Sequence, residues 1–340
     1  MDNTATGENM TKVSGFQVPS SLRPTRERVG LIVDGANAAA AVKTIAAAEA
    51  AGVLQIWMIQ SPWSPDILTT FAAAATKTST VRLGTSIVPT YPRHPLVLAQ
   101  QALALYDIAP GRLRLGIGPS HKAIIEGTYG LPQTTPLAHL REYVNVLRAA
   151  LWEAKVDHHG QFFNVIVTLP RTAQIPVLIS TLGKKAFQLA GQIADGALSW
   201  VCPVPYLLRV GIPTLRTSAA AAAAEVGRSA PPPLVAHVSV ALSEDRGSVL
   251  AAGHQMLDFY AKLPFYAKMF SDAGFPLTSD QTSVPDALVD SLVISGNEAT
   301  VAARFTELLA AGLDELNVAL VPITDAGDEQ SRLMNLIGQL

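Results

Sequence analysis

Cysteine is almost absent. Cys202 is the sole one among 340 residues, which excludes an internal disulfide framework and any zinc site built from several thiolates. Cys202 itself reads as a small core residue. Charge is scarce too: 15% of residues are charged against 49% hydrophobic, too little for a disordered or fibrous chain. There is no basic excess, because 25 Lys plus Arg face 27 Asp plus Glu for a net charge of −2. No positive field therefore gathers phosphates along a nucleic acid, and no such partner is expected. Long hydrophobic runs are missing as well. The alanine-rich stretch 38–51 is broken by Lys43 and Glu49, and 219–224 is too short to span about 30 Å of hydrocarbon, so no membrane partner is expected. Residues 1–30 contain no apolar segment behind a basic flank, so no secretory signal is read there and a soluble cytoplasmic protein is expected. Polar and without periodicity, residues 1–27 read as a disordered leader, with 28–340 as one domain.

What is present is an alternation. Apolar runs at 29–33, 53–59, 81–88, 112–117, 175–180, 196–201, 234–242 and 315–321 read as strands buried on both faces. Helical segments separate them. Asn37 to Ala51 ends at Gly52, Pro65 to Lys77 opens on a first-turn proline, and Pro95 precedes Leu96 to Ile108. Leu137, Leu140, Val144, Leu147 and Leu151 repeat at three- and four-residue steps, an amphipathic helix. Lys184 to Ile193 and Pro205 to Val226 are helical, and Asn297 caps a helix carrying Val301, Phe305 and Leu308. Residues 155–174 form an irregular excursion with a short hairpin at His159-Gly160, and about 250–287 a partly helical insertion. Eight strand–helix units predict an α/β fold, a (β/α)8 TIM barrel with insertions. An open doubly wound sheet is the alternative.

In such a barrel the active site lies at the C-terminal strand ends. That rule selects Asp34 to Asn37, Gln60 to Trp63, Thr85 to Thr90, Gly118 to His121, Ser180 to Lys184, and Ser199-Trp200. Gly116-Ile117-Gly118 lacks the third glycine of a dinucleotide fingerprint and lies mid-chain, so it serves either strand packing or close approach of a cofactor. Ser180 to Lys184 is a Ser/Thr/Gly turn opening onto a helix whose free N–H groups suit a phosphate, with an ordinary helix cap as the other reading. His121 is an acid or substrate hydrogen-bond donor, or else a solvated loop histidine. His94 suits a capping role, and His158-His159 have no third ligand near in sequence, so no metal is expected. Nucleophile-elbow, phosphate-loop and zinc-helix motifs are absent.

Residues 79–121, STVRLGTSIVPTYPRHPLVLAQQALALYDIAPGRLRLGIGPSH, resemble the third and fourth βα units of the luciferase-like flavin and deazaflavin superfamily. Arg141 to Trp152 and LAGQIADGALSW (189–200) continue the resemblance in the same order, over about 28–325. Within it the chain is most similar to the coenzyme F420-dependent oxidoreductases, relatives of methylenetetrahydromethanopterin reductase and F420-dependent glucose-6-phosphate dehydrogenase. The resemblance implies coenzyme F420 as cofactor, FMN being the alternative, and a non-proline cis peptide at Ser86–Ile87 backing the deazaflavin ring. It places Asp34, Thr85, Gly118, Thr181, Leu182, Gly183 and Lys184 on the cofactor, the last three as the phosphate-gripping turn. Dimers are common in that family, so a homodimer is expected.

One departure matters. Where the sugar-phosphate dehydrogenases carry an Asp-His pair after strand two, this chain has Gln60-Ser61, and His121 stands at an acidic position of theirs. With Gln60 and His121 as the catalytic candidates, hydride transfer from reduced F420 to a C=C, C=N or C=O bond is easier to defend than alcohol oxidation. Trp63, Tyr91 and Trp200, with Phe259 and Phe265, would form apolar walls for a small lipophilic substrate, or be plain packing. The insertion is either a lid or a dimer contact. An FMN-dependent monooxygenase and a non-catalytic deazaflavin- or ligand-binding barrel are the rivals.

Overall fold

The computed structural model describes residues 23–226, 230–277 and 284–340. The eight apolar runs become β1 (Val29–Ile32), β2 (Gln55–Met58), β3 (Arg82–Thr85), β4 (Leu113–Gly118), β5 (Val177–Thr181), β6 (Gly196–Ser199), β7 (Leu234–Ala241) and β8 (Glu315–Leu320). Each pairs in parallel with the next, and β8 returns to β1 with Leu316 opposite Val29, closing the barrel. That closing pair rules out the open doubly wound sheet. Helices cover the outside, and the caps follow the sequence: Asn37, His94 and Asn297 accept the backbone N–H groups of Ala40, Leu96 and Thr300. The hairpin pairs Lys155–His159 with Asn164–Thr168. No helix among the described residues is long and apolar enough to cross a membrane.

Two boundaries differ from expectation. Residues 1–22 of the leader lie outside the described residues, but its last part is structured. Thr25–Arg28 is a helical turn, and the Arg23 Nη2 atom lies 2.8 Å from Glu315 Oε1. The insertion starts earlier than 250, because Asp245 caps a helix over Arg246–Ala261. Pro264–Asp272 and Asp286–Leu292 follow, and Val293–Ser295 then adds a short parallel strand beside β7.

The barrel interior is organised by one side chain. Trp57, 1% exposed, occupies the space between strands, and a Cβ at Gly84 would overlap its ring while one at Gly30 would come within 2.5 Å of its Nε1. Glycine at both positions is what lets a closed barrel hold an indole. The Arg114 guanidinium lies 5.0 Å from the Trp57 ring and pairs with Glu315 at 2.6 Å and with Gln55 at 2.8 Å. On the opposite side of the indole, Ile32, Leu178, Leu198 and Val235 form an apolar layer, topped by half-buried Ile59, Ile87, Trp200 and Ala319. One end of the barrel is thus sealed by an ion-paired plug, and the other offers an apolar floor.

Burial alone would raise the Glu315 carboxyl, but Arg114 and Arg23 reverse this and hold it down to about 2. Because that lies below the roughly 4.3 of a free glutamate, the pair adds stability above the unfolded value that is lost as pH falls toward the folded one. Glu315→Gln should cost about 3–5 kcal/mol by leaving buried guanidinium charge uncompensated. Denaturant titrations at several pH values should also show a flatter acid limb in the variant. Parallel limbs would remove the plug from the account of acid unfolding.

Candidate active site

The C-terminal strand ends carry four kinds of surface. The floor is Ile59, Ile87, Trp200 and Ala319. The wall follows β3, where the Ser86–Ile87 peptide is cis. Here Thr85 Oγ1 donates to Gly116 O at 2.6 Å, Ser86 N donates to Met58 O at 2.7 Å, and Asn317 Nδ2 donates to Ser86 Oγ at 3.2 Å. Thr85 and Ser86 therefore spend their polar groups on the framework, and Ile87 remains the more accessible face. Gly118 keeps the β4–β5 side flat: a Cβ there would overlap Ser180 Oγ and lie 2.9 Å from Ser180 Cβ.

At one edge the chain turns into the helix Lys184–Ile193. Thr181 Oγ1 donates to Leu198 O, and Leu182 O accepts from the Tyr206 hydroxyl, fixing the turn from both sides. Gly183 is the N-cap with no side chain to satisfy the helix N–H groups, and a Cβ there would meet nothing within 4 Å. Lys184 and Lys185 follow, both exposed. Cations in a first turn oppose the helix dipole by roughly 0.3–1 kcal/mol each, and no side chain caps this end. Asp34 lies across the mouth after β1; its side chain is exposed, yet desolvation at the rim pushes its carboxyl up.

The fourth surface is a roof, and it settles where the insertion lies. His121, just past β4, makes edge contacts with Phe259 at 5.8 Å, Tyr260 at 6.2 Å and Tyr266 at 5.8 Å. Trp200, just past β6, donates Nε1–H to Tyr260 Oη at 2.6 Å and lies 3.9 Å from the His237 ring. Burial lowers both histidines, His237 to about 3. The rings are neutral at physiological pH, so each presents an N–H rather than a charge.

Other predicted residues are used differently. Gln60 Oε1 accepts from Ile67 N at 2.9 Å and its Nε2 donates to Ser61 O at 3.1 Å, so its amide ties down its own loop. Tyr91 stacks on His139 at 4.0 Å and gives its hydroxyl proton to Thr134 O. Trp63 is 76% exposed and Phe265 70%, neither enclosing anything. His158 pairs with Glu142 and His159 with Asp157, and no metal-holding group of three exists among the described residues. A concavity of about 590 Å³ lies between Pro205, Ile294 and Arg304, with His237 in its lining. Its charged groups are already matched, Arg304 with Glu307 and Asp290 with Arg246, so it offers less chemistry than the mouth. Sequence reasoning missed His237 and Asn317. Their signal was available, as polar residues inside the apolar runs LVAHVSVA and ELNVAL.

A closed (β/α)8 barrel with an apolar floor, an aromatic roof and an anion-ready helix start defines a barrel built to hold a ligand at its strand ends. The chain belongs to the luciferase-like monooxygenase family, whose model matches residues 20–315. It is 28% identical over 327 residues to a Mycobacterium tuberculosis protein named as a coenzyme F420-dependent oxidoreductase, covering 85% of this chain and 91% of that one. It is 24% identical over 312 residues to the 5,10-methylenetetrahydromethanopterin reductase of Methanolobus tindarius, covering 86% and 92%. Among solved structures, an F420-dependent secondary alcohol dehydrogenase holding an F420–acetone adduct superposes with a TM-score of 0.74 at 18% identity, over 91% of this chain and 97% of that one.

If the Gln60 amide serves the loop, Gln60→Ala should cost about 1 kcal/mol in denaturant unfolding by leaving Ile67 N–H without its acceptor, Asp66 remaining the N-cap of the helix Ile67–Ala75. Unchanged stability with lost turnover would return Gln60 to the chemistry.

Proposed function

We propose that the mouth binds coenzyme F420 and that the protein is an F420-dependent oxidoreductase, acting as a reductase of C=C, C=N or C=O bonds in small lipophilic molecules. The observation that carries this is the uncapped helix start at Gly183, with Lys184 and Lys185, at the edge of an uncharged apolar floor. A planar ring with an anionic tail matches that asymmetry, and two relatives are named for F420. The deazaflavin, when bound reduced, supplies a hydride. The chain's own groups do the rest. Ile87 and its neighbours offer an apolar surface for the ring, the Gly183 turn takes the phosphate, and the insertion aromatics exclude water. The N–H of neutral His121 would polarise the substrate by hydrogen bonding, and because burial disfavours its imidazolium, a water supplies the proton that follows the hydride. The loop after β2 offers no carboxylate–imidazole pair to take a proton from an alcohol, since Gln60 and Ser61 stand there, which favours reduction over oxidation.

Side-by-side fluorescence titrations should give tight binding of F420 and weak binding of FMN; the reverse order would favour the monooxygenase chemistry of the family. Gly183→Asp should fold and keep or raise Tm, because Asp is a good N-cap. It should nevertheless weaken F420 binding at least about tenfold, roughly 1.4 kcal/mol, by setting a carboxylate against the phosphate. Unaltered affinity would remove the anion site.

His121→Ala should lower kcat by about 100-fold while leaving F420 affinity near wild type. An unaffected rate would leave His121 as a packing residue beneath the roof.

A further inference from the structure

Tyr260 sits at the junction of roof and floor. Its oxygen accepts the Trp200 indole proton at 2.6 Å, so the hydroxyl is oriented, and among the described residues no acceptor takes its own proton. A phenol that accepts one hydrogen bond becomes a better donor of the next. Around it lie the Trp200 indole, Phe259, the Tyr266 ring at 4.9 Å between centroids and His121 at 6.2 Å. An oriented hydroxyl donor in an aromatic setting suits a ligand with an acceptor atom and a flat apolar remainder.

We propose that Tyr260 Oη donates the hydrogen bond that anchors the substrate's oxygen, and that the mouth takes planar aromatic or conjugated carbonyl compounds. This rests on the reductase reading only for naming the carbonyl as the reacting group. Tyr260 acts as a specificity-determining residue, with Trp200 holding its hydroxyl in place.

The probe pair is 1-indanone and indane, equal in shape and differing by one oxygen, with binding followed by NMR line broadening in the presence and absence of oxidised F420. Tyr260→Phe should weaken 1-indanone about fivefold and leave indane unchanged, since only a hydrogen bond is removed. Trp200→Phe should also weaken 1-indanone more than indane. Equal responses of the two probes to Tyr260→Phe, or no measurable binding of 1-indanone to the wild type, would overturn the proposal. F420 titrated into the same samples separates the two ideas. Failure to bind F420 would count against the cofactor, while the indanone-to-indane comparison alone judges Tyr260.

Discussion

Everything at the mouth depends on the indole of Trp57 filling the middle of the barrel. A ring of that size fits only because Gly30 and Gly84 on the flanking strands have no side chain to contest it. Once seated, it separates two chemistries. On one side Arg114, Glu315 and Gln55 form a buried polar plug. On the other, Ile32, Leu178, Leu198 and Val235 support a floor with no charge. A buried charge cluster is tolerated when its members pair and are hydrogen-bonded, and confining it to one end keeps it away from the strand-end mouth.

The electrostatics of the mouth follow from that division. Desolvation pushes Asp34 up and His121 down, and His237 farther down, so burial moves these rim groups toward their neutral forms. Positive charge remains at one edge, where Lys184 and Lys185 flank an uncapped helix start. A neutral apolar surface with one electropositive edge orients an anion-tailed planar molecule without gripping its ring. In the proposed reading, the position of a bound ring would be a matter of shape, set by Ile87, Gly118 and the roof.

Much of the architecture was legible because it rests on local signals. Eight doubly buried apolar runs, the caps Asn37 and Asn297, and the Gly183 turn are written within a few residues each. The class of the mouth followed from the barrel rule, and the cis bond at Ser86–Ile87 from the resemblance. What stayed hidden depends on partners far away in the chain. Gln60 and Tyr91 carry functional-looking side chains at strand ends, yet their polar groups are satisfied by Ile67 N and Thr134 O, which no motif announces. The Asn317–Ser86 contact joins residues 231 positions apart. Arg23 looked like part of a polar leader because its partner, Glu315, lies almost the whole chain away.

The insertion shows most clearly how topology makes a site from unremarkable sequence. Its aromatic residues have no strand-end position to mark them, and as a sequence they fit a dimer contact as well as a lid. Its placement in this chain follows from two fixed roots. Asp245 caps the first helix immediately after β7, and Val293–Ser295 pairs with Ser239–Ala241 on the edge of β7 that β6, pairing only with Leu234–Ala236, has left free. Between these roots the first and last insertion helices are in close contact, since a Cβ at Gly253 would overlap Val289. This unit, anchored at both ends, sets Phe259, Tyr260 and Tyr266 against His121, and Tyr260 against Trp200. The described part of the insertion therefore faces the floor across the strand ends.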